Sequence, residues 1–91
     1  MNSNPDSDVA RKRLLWRATH RGIKEMDLII GGFATAHLAG LSEPDLRDFA
    51  RILELPDQEM LAWVTRVERV PDHLRSPLLD RILAFTPGPA A

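Results

Sequence analysis

Gly22-Ile23-Lys24-Glu25-Met26-Asp27-Leu28-Ile29-Ile30-Gly31-Gly32-Phe33-Ala34-Thr35-Ala36-His37-Leu38-Ala39-Gly40 is the stretch on which the fold turns. Ile23, Met26, Ile30, Phe33, Ala34 and His37 recur at spacings of three and four, and Leu28 and Ile29 widen the stripe. That period predicts an α-helix over about residues 23–38, apolar enough to be the central and most buried one. Gly22 turns the chain into it and Gly40 ends it. The Gly31-Gly32 pair is its weak point, costing up to about 1 kcal/mol per glycine relative to alanine. Two small residues inside an apolar stripe imply that another helix packs closely there.

Outward from this helix the signals remain helical. Upstream, Pro5-Asp6-Ser7-Asp8 supplies capping residues before Val9, and a first helix is expected to run to about Thr19 with Val9, Leu14, Leu15 and Ala18 on one face. Downstream, Ser42 caps a third helix, with Pro44 and Asp45 in its first turn. Its inward stripe is Leu46, Phe49, Ala50 and Leu53, and its charges (Glu43, Asp45, Arg47, Asp48, Arg51) read as a solvated face. Pro56-Asp57 opens a fourth helix with Met60, Leu61, Val64 and Val67 inward. Pro71 or Pro77 starts a fifth that uses Leu78, Leu79, Ile82, Leu83 and Phe85. The expected architecture is all-α, a small compact bundle of about five short helices. Its domain spans residues 9–85, between a flexible segment at 1–8 and a loose tail at 86–91.

The chain has 91 residues, enough for one domain with a modest core. An apolar fraction of 44% beside 27% charged residues is that of an ordinary globular protein rather than a disordered one. There is no cysteine, which excludes disulfides and thiolate metal sites. The opening Met1-Asn2-Ser3-Asn4-Pro5-Asp6 is polar, without the apolar core of a signal peptide or an Arg-rich presequence. No apolar run approaches the roughly 20 residues that span a bilayer. The expected location is the bacterial cytoplasm.

Charge is distributed unevenly. The net charge is −1, yet residues 11–24 hold six basic side chains (Arg11, Lys12, Arg13, Arg17, Arg21, Lys24) and no acidic ones. Such local asymmetry suggests a surface that meets an acidic partner. Catalytic patterns are missing. His20, His37 and His73 form no i, i+4 pair for a metal, no Gly-rich loop would cradle a phosphate, and no serine sits in a nucleophile elbow. The chain is therefore not expected to be an enzyme, to hold a metal, or to bind FAD in a nucleotide fold of its own.

Arg21 and Glu25 stand four apart across the start of the central helix. A plain ion pair there would contribute about 0.3–0.5 kcal/mol. Alternatively, Gly22 leaves bare backbone between a guanidinium and a carboxylate, a surface another protein can approach. Trp16 and Trp63 read as core or half-buried packing. Asp27, on an otherwise apolar face, is expected to bond a neighbouring helix end or an N-terminal arginine.

Three blocks then carry a resemblance. Arg13-Leu14-Leu15-Trp16, Arg21-Gly22-Ile23-Lys24-Glu25 (an RGxxE pattern) and Met26-Asp27-Leu28 occur in that order, and Pro56-Asp57-Gln58-Glu59-Met60-Leu61-Ala62-Trp63 forms an acidic stretch leading to a tryptophan. Together they resemble the SdhE family of FAD assembly factors for succinate dehydrogenase, from about Lys12 to Phe85. The resemblance implies a helical bundle that binds the flavoprotein subunit of succinate dehydrogenase, and often of fumarate reductase, and promotes covalent FAD attachment to it. Arg21, Gly22 and Glu25 would carry the binding motif, with Arg13, Lys24 and Asp27 extending the patch. FAD would stay with the partner, so no cofactor is stably bound here, and a transient partner fits a monomer. Two departures stand out: Met60-Leu61 replaces a Leu-aromatic pair, and Val64-Thr65-Arg66-Val67-Glu68 lacks the glycine often found after the tryptophan. The competing reading is a small helix-turn-helix-like nucleic-acid-binding regulator, with the basic first helix on phosphates.

Overall fold

The structure is a computed structural model that describes residues 5–85, with side chains from Asp8 onward. The expected tail at 86–91 and the first four residues of the expected 1–8 segment lie outside the described residues. Among the described residues there are five helices, as the periodicity predicts. Helix α1 is Pro5–Thr19, beginning before the start expected at Val9. Helix α2 (residues 24–37) is composite: an α turn Lys24–Met26, a π turn Asp27–Gly31 and an α segment Gly32–His37, closed by the 3-10 turn Leu38–Gly40. Helices α3 (Glu43–Leu53), α4 (Asp57–Val64) and α5 (Pro77–Ala84) follow, with a 3-10 turn Asp72–Leu74 before α5.

Helix α2 is the central one. Met26, Ile30, Phe33 and Ala34 are at most 2% exposed. Burial of Met26, Ile30 and Phe33, at about 2 kcal/mol each, outweighs the two glycine penalties. The glycines lie where neighbours come closest. A Cβ on Gly31 would stand 3.0 Å from Thr19 Cγ2 and 3.1 Å from the Ala18 carbonyl, and one on Gly32 would stand 3.0 Å from the Phe85 ring. Helix α1 thus crosses α2 at Gly31, and Phe85 closes over Gly32. Phe85 also meets Phe33 edge-to-face at 5.9 Å between centroids.

Ser42 and Ser76 cap α3 and α5, accepting the amides of Asp45 (3.3 Å) and Leu79 (3.1 Å). Ser76 has a second role. Its hydroxyl donates to Asp48 Oδ2 at 2.7 Å, while Arg51 Nε donates to Asp48 Oδ1 at 2.7 Å. Asp48 and Arg51 therefore latch α3 to the start of α5 instead of lying on a purely solvated face. Partial burial alone would raise the Asp48 pKa. The hydrogen bonds from Arg51 and Ser76 and the Arg51 charge outweigh it and hold the carboxyl below its ordinary 3.8.

Several expectations of burial fail: Leu28 (51% exposed) and His37, read as part of the central stripe, face solvent, and so do positions on α1 and past the end of α4. Among the described side chains of α1 only Leu14 and Ala18 are buried; Val9 is 55% and Leu15 37% exposed. Gly31 draws α1 close to α2 beside Ala18 and Thr19, and Arg11 and Arg17 flank that contact, reaching Leu41 and Glu54. Trp16 is 61% exposed, not core. It lies two positions from both Leu14 and Ala18, about 200° round the helix, and so faces outward. Val67 is the most exposed of the large apolar residues because α4 ends at Val64 and helical spacing does not continue to it. Trp63, by contrast, is buried as expected.

The exit from α4 also accounts for the missing glycine. Arg66 takes the left-handed conformation at φ 62°. The Arg66 amide donates to the Trp63 carbonyl at 3.2 Å and the Val67 amide to the Ala62 carbonyl at 2.9 Å. That pair of bonds is a Schellman cap, which favours glycine where arginine stands.

Candidate protein-binding site

The basic run divides into two sets. Arg11, Arg17 and Arg21 turn toward their own chain. Arg11 donates to the Leu41 carbonyl at 2.8 Å, and Arg17 pairs with Glu54 at the surface. Lys12, Arg13 and Lys24 are exposed and make no hydrogen bond or ion pair among the described residues. Half of the charge that suggested an acidic partner is thus internal stapling, and the other half is free to meet one.

Arg21 is the strongest staple, its side chain 9% exposed. Its Nε pairs with Asp57 Oδ1, the first residue of α4. Its two terminal nitrogens donate to the Leu53 carbonyl at 2.8 Å and the Leu55 carbonyl at 2.9 Å, where α3 ends and the chain turns into α4. A cation there also complements the C-terminal end of the α3 dipole. The plain Arg21–Glu25 pair is not formed, because Arg21 is held from the opposite side.

With Arg21 anchored, the following turn is held above it. Asp27 Oδ1 accepts the Arg21 amide at 2.7 Å, in the bend between α1 and α2. Gly22 adopts φ +101°, a conformation L side chains rarely take, and a Cβ there would meet nothing within 4 Å. Its glycine is required by the backbone, and the space beside it is open. Glu25, in the first turn of α2, is exposed and engaged by no hydrogen bond or ion pair among the described residues. It borders a shallow groove lined by Gln58, Leu61, Ala62, Thr65 and Val67.

Of the residues singled out from sequence, Gly22, Lys24 and Glu25 share one exposed turn. Arg13 is exposed on α1, Arg21 lies beneath the turn, and Asp27 is part-buried and braces it. Asp57 was not singled out as a site residue; its signals were its place after Pro56 at a helix start and in the acidic stretch leading to Trp63. The Leu53 and Leu55 carbonyls carried no sequence signal. Helix α2 is packed along its apolar stripe, so it is not a free recognition helix, and nothing favours the nucleic-acid reading. Among the described residues no group of acidic or histidine side chains could hold a metal ion, and no helix is long and apolar enough to cross a membrane.

The family model described as flavinator of succinate dehydrogenase matches residues 12–86. The chain belongs to this family. Its relatives include the FAD assembly factor SdhE of Acetobacter pasteurianus, 38% identical over 73 residues, covering 80% of this chain and 67% of that protein. The mitochondrial succinate dehydrogenase assembly factor 2 of Dictyostelium discoideum is 33% identical over 81 residues (89% of this chain, 57% of that one). Its counterpart in Danio rerio is 30% identical over 81 residues (87% and 51%). The chain spans a little over half the length of these mitochondrial relatives. Members of the flavinator family are named for assembly rather than catalysis, in line with the missing catalytic patterns.

Proposed function

We propose that this chain is a flavinylation assembly factor. It binds the flavoprotein subunit of succinate dehydrogenase, and of fumarate reductase where present, and promotes covalent FAD attachment to that subunit. The observation that carries the reading is the exposed Gly22–Glu25 turn, held over the part-buried Arg21, in a chain of this family. Bare backbone at Gly22 lets a partner come close, and Glu25 offers an unengaged carboxylate beside it.

FAD and the histidine that takes it belong to the partner, and this chain supplies position. Holding the flavoprotein's domains so that histidine and flavin stay near attack distance can be worth several kcal/mol without a catalytic side chain on the factor. A transient partner of this kind suits a monomer, acting in the bacterial cytoplasm.

In-gel fluorescence of the denatured flavoprotein tests the reading, because denaturation removes non-covalent FAD. Deletion of this gene should abolish the signal, wild type should restore it, and Glu25→Ala should not. Glu25 is exposed and unpaired, so that variant should keep its stability within about 0.5 kcal/mol. Gly22→Arg needs a control for backbone strain. Gly22→Ala carries the same strain without the bulk, so flavinylation retained by alanine and lost by arginine isolates docking. Normal signal with both Glu25→Ala and Gly22→Arg rejects the site.

A further inference from the structure

We propose that the outer face of α1, led by Trp16, is a second docking surface that sets an aromatic anchor into an apolar socket rimmed by carboxylates on the flavoprotein. This rests on the assembly-factor reading and extends it to residues outside the Gly22 turn.

Trp16 is held, not loose. Its ring stacks on His20 with centroids 4.3 Å apart and an interplanar angle of 12°. The His20 ring is itself fixed, with Nδ1 2.7 Å from the Trp16 carbonyl and 3.0 Å from Thr19 Oγ1. A pre-set aromatic side chain loses little conformational freedom on binding, which favours affinity. The fold makes no use of this ring, since Leu14 and Ala18 fill the inward side of α1.

The surroundings of Trp16 specify the partner. Val9 lies seven residues earlier on the same face and is also exposed. Lys12 and Arg13 flank the pair, exposed and unengaged, and no acidic residue occurs from 11 to 24. An aromatic anchor with a cationic rim matches the composition of binding hot spots, rich in Trp and Arg. Its complement is an apolar socket with acidic edges. Two free cations on this face are too few for phosphate-driven binding to nucleic acid or an anionic membrane, and the whole chain carries net charge −1. A protein surface is the occupant this leaves. His20 runs directly into Arg21 and Gly22, so the face is continuous along the chain with the Gly22 turn.

The test uses the full chain labelled with 5-fluorotryptophan and titrated with purified flavoprotein subunit. Only Trp16 and Trp63 carry the label, and the buried Trp63 serves as an internal control. The Trp16 fluorine resonance should shift or broaden on binding while that of Trp63 stays in place. Trp16→Ala should weaken binding by roughly 30-fold or more, the range of a hot-spot residue, with its melting midpoint unchanged. Trp16→Phe should fall in between. Wild-type affinity in Trp16→Ala, in a complex that Gly22→Arg still disrupts, overturns this proposal and leaves the assembly-factor reading standing. Absence of any complex with the wild-type chain overturns both. Trp16-dependent binding to an oligonucleotide or to phosphatidylserine vesicles, but not to the flavoprotein, also overturns it.

Discussion

Replacing Arg21 by alanine should unfold this protein more readily than any surface change, and the structure indicates by how much. The guanidinium makes three bonds at once: to the Asp57 carboxylate and to the Leu53 and Leu55 carbonyls. Its side chain is 9% exposed and that of Asp57 17%, so solvent does little to screen the pair or to replace it. Hydrogen bonds to a charged group contribute about 1.5–3 kcal/mol each. Removing one partner of a fully buried pair costs about 3–5 kcal/mol, because the remaining charge is left uncompensated, and this part-buried pair adds its two carbonyl bonds to a smaller share of that cost. We expect a loss of about 3–5 kcal/mol, a large share of the 5–15 kcal/mol typical of a domain. At roughly 4–8 °C per kcal/mol for a domain of this size, the midpoint should fall by roughly 12 °C or more. Urea denaturation followed by far-ultraviolet circular dichroism measures it. Asp57→Ala should destabilise as well, and the double variant should lose less than the two singles together, since it removes the stranded carboxylate. A loss under about 1 kcal/mol for Arg21→Ala, or strict additivity in the cycle, would refute the reasoning. The result also separates motif residues: Arg21→Ala would lose flavinylation through the scaffold, whereas Glu25→Ala would lose it with the scaffold intact.

Arg66→Gly should stabilise the chain by about 1 kcal/mol, because arginine is held at φ 62° in a cap suited to glycine; an unchanged melting midpoint would contradict this. Gly31→Ala should destabilise by about 1–3 kcal/mol despite its better helix propensity, since the new Cβ would press on α1 backbone 3.1 Å away. Calorimetry showing a gain would mean that α1 shifts freely. The pH dependence of Asp48 has a definite sign. Its folded pKa lies below 3.8, so its stabilisation is present above the ordinary carboxylate range and lost as pH falls through the folded value. Between about pH 5 and about pH 3 wild type should therefore lose more stability than Asp48→Asn, and equal losses would show that the latch contributes nothing.

Much of the fold was legible because spacing and capping are local. Ser42 and Pro44, the Gly31-Gly32 pair, and the stripe through Met26, Ile30 and Phe33 each state their role within a few residues. The turn Gly22–Glu25 was equally legible as a pattern. What spacing could not show was the direction of long side chains. Arg21 and Glu25 are well placed for an i, i+4 pair, yet Arg21 reaches 36 residues along the chain to Asp57. Trp16 looked like core because tryptophan usually is, and only the direction of the α1–α2 contact put it outside.

By itself the sequence determined that this chain is a helical bundle of the flavinator family, which residues cap its third and fifth helices, and which turn carries the motif. Periodicity, caps and glycines act over one or two turns and are written residue by residue. The tertiary structure alone decided how the six basic residues divide into three staples and three free cations, and that Arg21 lies beneath the motif, not on its face. It also left Trp16 to solvent. Those outcomes depend on which carbonyls and carboxylates of α3 and α4 are brought against α1, and no local pattern records that encounter.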